Sequence, residues 1–166
     1  MAKMTFHDQS KYYDKLRELE KVFAKDTAIE KAVHSGAKVV ADEIRDNLEN
    51  IPEDGFKRLK PGEVFTGLSN AEKQDLENSF GLTPISRDKN GLVHTKAGFD
   101  GYGSFPTPSY PQGVPNALLA RAAESGSSVR KKTPFIRPAV KATREKAVEA
   151  MGDSIDETMK EIFEGG

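Results

Sequence analysis

The sequence predicts an α+β fold: a single domain, residues 1–166, in which a small antiparallel sheet packs with long N- and C-terminal amphipathic helices. Two patterns carry the prediction. Apolar residues recur at helical spacing near both ends of the chain, and in the middle a turn cluster separates two short β-type runs. The length of 166 residues suits one domain with its own core. An apolar fraction of 36% against 31% charged residues implies a thin core and extensive helix surface.

The first element spans residues 10–24, where Tyr12, Leu16, Leu19 and Phe23 mark one helix face. It forms an N-terminal helical extension over residues 1–26. Asp26 and Thr27 offer the start of a second helix. Its apolar row is Ile29, Val33, Ala37, Val40, Ile44 and Leu48, and Pro52 ends it. Gly36 and Ala37 in its middle leave room for another helix to approach. Residues 52–69 are rich in Gly, Pro and charge and read as a long loop, either functional or ordered only on contact. A short polar helix follows at 70–79.

The β signal comes next. LTPI (82–85) and LVHTKA (92–97) flank RDKNG (87–91), a turn cluster containing Asn-Gly, and predict a hairpin. Residues 98–115 hold too many Gly and Pro for a regular strand and form a second long loop. Asn116 is a plausible N-cap for the helix ALLARAAES, with Gly126 as its left-handed stop. Pro138 sits near the start of the last helix, where a missing N–H costs nothing. Val148, Met151, Ile155, Met159 and Ile162 then repeat at helical spacing.

Composition narrows the chemistry. Without cysteine there is no disulfide, thiolate nucleophile or thiolate metal site, which fits a reducing compartment. The N-terminus lacks a signal-peptide core, and no apolar run approaches the ~20 residues that span a bilayer. A soluble protein made in a cytoplasm, with no membrane partner, is expected. The three histidines, His7, His34 and His94, have no metal-type spacing. Ser125, Ser127 and Ser128 lack the strand–turn–helix frame of an activated serine. The run through Gly98, Gly101 and Gly103 is followed by neither lysine nor helix, so it does not read as a phosphate loop. The expectation is therefore no catalytic site, no metal and no cofactor.

Net charge is −1, from 25 basic and 26 acidic residues, but the signs are segregated. Arg130, Lys131, Lys132, Arg137, Lys141 and Arg144 form a basic run, whereas residues 149–164 carry Lys160 as their only base. The basic run is either a contact for an acidic neighbouring subunit or a surface facing DNA. Base-stacking aromatics are not interleaved with it.

Two motifs then give a more specific direction. Glu124-Ser125-Gly126-Ser127 is followed by Pro134-Phe135-Ile136-Arg137-Pro138-Ala139 and a long helix. This order resembles the phage tail-component family typified by the gene-ten product of coliphage Hong Kong 97. Members have a Glu-x-Gly-Thr/Ser turn and a Pro-Phe-Leu/Ile-x-Pro-Ala segment. The likeness extends upstream through the proline-closed helix, Gly67-Leu68 and the hairpin before Gly98, covering residues 27–163. Ser127, where many relatives have Thr, and the Pro-rich insert 104–115 depart from the pattern.

The resemblance implies a structural protein of the head–tail junction (neck) of a long-tailed phage or prophage, acting in tail completion. It implies a ring around the DNA channel, a hexamer by analogy with phage tails. Partners would be copies of itself, other head–tail connector or tail proteins and channel DNA, and the location would be the virion. A small nonspecific nucleic-acid-binding protein using residues 130–146 is the alternative. A regulator that binds another protein through its long helices is a further one. In the motif, Glu124, Gly126, Pro134, Phe135 and Pro138 are expected to be structural. Pro134, Phe135 and Ile136 are expected to anchor the last helix to the sheet.

Overall fold

A computed structural model describes residues 9–24, 27–55 and 59–164. His7 and Asp26 lie outside them, as does the side chain of Tyr12. The chain runs α1 (Gln9–Ala24), α2 (Thr27–Glu49), α3 (Asn70–Ser79), β1 (Phe80–Leu82), β2 (Ser86–Arg87), β3 (Val93–His94), β4 (Ala97–Phe99), α4 (Asn116–Ser125) and α5 (Ile136–Glu164). This is the α+β arrangement expected, with one difference in the sheet. Two short antiparallel pieces replace a continuous hairpin, β1 with β4 and β2 with β3. Pro84, which has no N–H for a ladder, falls between them. Thr83 bridges the gap instead: its N donates to Lys96 O at 2.8 Å, and Lys96 N donates to Thr83 Oγ1 at 3.0 Å. At the tip, Asp88 accepts from the backbone N–H groups of Asn90 and Leu92. The bond from Leu92 is the main reason the Asp88 carboxyl is held below its ordinary range.

The polar helix α3 begins with a capping box. Ser69 Oγ accepts from Glu72 N, while Glu72 Oε2 accepts from Ser69 N at 2.9 Å. The reciprocal pair satisfies two donors that would otherwise be open at the helix start.

One apolar cluster holds these elements. It takes Ala41, Ile44 and Leu48 from α2 and Ile51 just after it, Leu68, Leu76 and Phe80, Leu119, Ala120 and Ala123 from α4, and Phe135 just before α5 with Ala139 in its first turn. Phe99 of β4 links the two sides, 5.0 Å from the Phe80 ring and 6.0 Å edge-on to Phe135. The entry of α5 is thus locked to the sheet.

Helices α2 and α5 run antiparallel, since Asn47 meets Phe135 near one end and Lys31 meets Glu157 near the other. The residues buried along the first half of α2 are Ala28, Ala32 and Gly36, one position removed from the expected Ile29, Val33 and Ala37, which are half-buried. In α5 the buried residues are Ala139, Thr143, Ser154 and Thr158, not the expected Val148, Ile155 and Met159. A shared cause explains both shifts. The helices approach so closely that a methyl group on Gly36 would sit 2.6 Å from Met151 Cγ and 2.9 Å from Ala147 O. Opposite Met151 and the Ala147 carbonyl, α2 has room for no side chain at all at position 36. Thr143 and Thr158 are buried with their hydroxyls donated to the carbonyls of Ala139 and Ser154, one turn back.

Loop 52–69 is tied at both ends. Leu68 N donates to Pro52 O, Asp54 N donates to Leu68 O, and Phe65 N and O bond residues 129 and 131. Its described residues therefore form a flap over residues 129–131; residues 56–58 lie outside the described residues.

Candidate functional site

The joint between α4 and α5 is built around one carboxylate. Glu124, in the last turn of α4, is 6% exposed. Its Oε2 accepts from the backbone N–H of Phe135 and of Ile136, both at 2.8 Å, and its Oε1 accepts from Arg137 N at 3.1 Å. Residue 138 is proline and has no N–H. Every donor at the start of α5 is accounted for by one side chain and one imino acid. The negative charge also sits at the positive end of the α5 dipole. Glu124 was legible as a motif residue, but its task was not, because the partners lie across a loop.

Gly126 closes α4, with its N–H donated to Ala122 O. Its backbone, at φ 80 and ψ 167, is glycine-type but extended in ψ, not the left-handed helical stop expected. That direction lets the chain turn sharply into the loop at 127–133. Asn116, expected as the N-cap of α4, is instead its first residue, and Pro115 occupies the cap position without a side-chain bond. The Asn116 amide turns inward and donates to Asp100 O at 2.9 Å.

Arg130 requires a correction. Counted in the basic surface run, it is 7% exposed and belongs to the interior. Its Nη2 lies 2.6 Å from Glu72 Oε1, and its Nη1 donates to Gly67 O. The guanidinium also lies over the Phe65 ring, 5.7 Å from its centre. Arg130 thus pins loop 52–69 and the α3 capping box to the loop before α5. Charge counting along a sequence cannot separate a buried ion pair from a solvated charge.

The other basic residues are outside. Lys131, Lys132, Arg137, Lys141 and Arg144 are exposed. Arg137 is partly committed, with Nε 3.5 Å from Glu124 Oε1. At about 100° per residue, Arg137, Lys141, Arg144, Val148, Ile155 and Met159 fall within a sector of about 60° on α5. Val148 is 66% exposed and Met159 37%. One face of the helix is therefore basic at its start and apolar towards its end. A hollow of ≈ 570 Å³ opens beside the seam, lined by Ser35, Asp153, Asp156, Glu157 and Lys160 among others. Its rim is predominantly acidic.

A second exposed apolar group lies in the loop after β4, where Tyr102 is 58%, Phe105 46% and Tyr110 37% exposed. A small turn holds it, with Thr107 and Tyr110 exchanging backbone bonds. Gly113 closes it, because a methyl group there would fall 1.9 Å from Gly103 O.

Of the remaining candidates, His34 is exposed on α2, and His94 Nε2 lies 3.3 Å from Ser86 Oγ across the hairpin. Among the described residues no group of three or more His, Cys, Asp or Glu side chains is placed to hold a metal. No helix among them is long and apolar enough to cross a membrane.

Comparison with protein-family models, with curated proteins and with solved structures finds no match for this chain. The phage resemblance rests on its motif residues alone.

Proposed function

We propose that this chain is a structural subunit of a phage or prophage head–tail junction, assembling as a ring with copies of itself and seated against connector or tail proteins. The observation that carries the reading is the outer face of α5. Exposed Lys141 and Arg144 continue into exposed Val148 and Met159, and among the described residues neither part is buried. The acidic edge formed by Asp153, Asp156 and Glu157 is a different patch of the same surface. Two unlike, complementary patches on one subunit suit a head-to-tail contact, which closes into a ring when the rotation permits. The motif resemblance supplies the biological setting, and the hexamer and the virion location come from it.

The test is a charge swap read by sedimentation and native mass spectrometry across protein concentration and salt. The expected result is a closed oligomer that dissociates when Lys131, Lys132 and Lys141 are changed to Glu. It should re-form when that variant is mixed with a copy carrying Asp153→Lys and Asp156→Lys. A chain that stays monomeric under all conditions, yet binds duplex DNA with an affinity falling steeply in salt, sinks the ring and favours the nucleic-acid reading.

A further inference from the structure

Where the C-terminal half of α3, the end of β4 and the start of α4 converge, a hollow of ≈ 370 Å³ is lined by Asp75, Asn78, Ser79, Asp100, Tyr102 and Asn116 among others. Two carboxylates in a hollow are not by themselves a site. The decisive feature is Asn116. It is 3% exposed, its Nδ2 donates to Asp100 O, and its Oδ1 has no hydrogen-bond partner among the described residues. A buried acceptor without a donor loses its hydration with no return, so such atoms in folded proteins are usually met by water or an ion.

The neighbours of that oxygen narrow the choice. A methyl group built on Gly103 would lie 3.0 Å from Asp75 Oδ2, 3.3 Å from Asn116 Oδ1 and 3.5 Å from Val114 O. Asp75 Oδ2 and Asn116 Oδ1 therefore lie close together beside Gly103, and neither can donate to the other, while Val114 O is already met by the Gly103 N–H at 2.8 Å. Asp75 is held in place by Ser104, whose N–H and Oγ donate to its two oxygens at 2.7 and 2.6 Å. Those bonds orient the carboxylate and leave it lone pairs. The start of α4 contributes about half a positive charge nearby, which two carboxylates outweigh.

The geometry points to a divalent-cation site of the calcium type in this hollow. Asn116 Oδ1 and Asp75 would be its inner ligands, and Asp100 a further carboxylate. Hard oxygen donors, carboxylate and amide together, with water completing the shell, are the set that Ca²⁺ takes and that softer metals do not select. With only two carboxylates the affinity is expected to be modest, a Kd of roughly 10⁻⁴–10⁻³ M. The site does not depend on the ring reading, and either can fail without the other.

The test titrates the full-length chain with CaCl₂, read by calorimetry and by the NMR signals of the Asn116 side-chain amide. The expected result is saturable binding in that range, with the Asn116 signals shifting along the same isotherm. Asp75→Asn should weaken binding at least tenfold. Asp100→Asn, at an exposed position that the fold tolerates, should weaken it severalfold. An absence of binding at millimolar Ca²⁺ overturns the proposal. So does binding that both variants leave unchanged, or a crystal grown in Ca²⁺ that shows only water at Asn116 Oδ1.

Discussion

The two ends of α5 are packed by opposite means. Its entry lies in the main core, with Phe135 just before it 1% and Ala139 0% exposed, and Glu124 holds the open backbone donors. Its second half meets α2 at Gly36, beside Met151 and the Ala147 carbonyl; Ser154 and Thr158 are the residues buried there, while Val148 and Met159 are exposed. The first end is fixed by size and by charge-assisted bonds, the second by close approach of backbones. Hydrophobicity alone therefore does not say what is buried along this helix. The end with the tight joint has its partners within the chain, whereas the other keeps its apolar face available.

Four substitutions would break or sharpen that contrast. Phe135→Ala should cost most, about 3–5 kcal/mol by urea unfolding, because it empties the space beside Phe99. Glu124→Ala should follow at about 2–3 kcal/mol, with amide exchange accelerated first at residues 135–137, whose N–H groups lose their acceptor. Gly36→Ala tests the seam. The clash with Ala147 O and Met151 should outweigh the ~1 kcal/mol gained in helix propensity, for a net loss of about 1–2 kcal/mol. Val148→Ser, at an exposed position, should leave monomer stability within about 0.5 kcal/mol. It should weaken self-association instead. If Val148→Ser destabilised the monomer as much as Gly36→Ala does, the division between a packed seam and a free face would be wrong.

The site was legible in part. Local signals gave the short polar helix at 70–79, though not its capping box, the turn cluster before Gly91 and a helix entered near Pro138, because each depends on residues within a few positions of one another. Of the basic run, Lys131, Lys132, Lys141 and Arg144 are exposed, whereas Arg130 is buried against Glu72, which stands 58 positions away. The role of Asn116 was missed for the same reason. Its surroundings come from α3 and from the loop after β4, and a local reading saw only a helix cap.

By itself, the sequence determined the α+β class, the order of the helices and the turn chemistry, since these follow from periodicity, caps and breakers along the chain. The tertiary structure alone decided which face of α2 and α5 is buried, whether Arg130 is surface or pin, and which oxygens meet at Gly103. Those outcomes depend on how closely two distant backbones approach, and no local pattern encodes that distance.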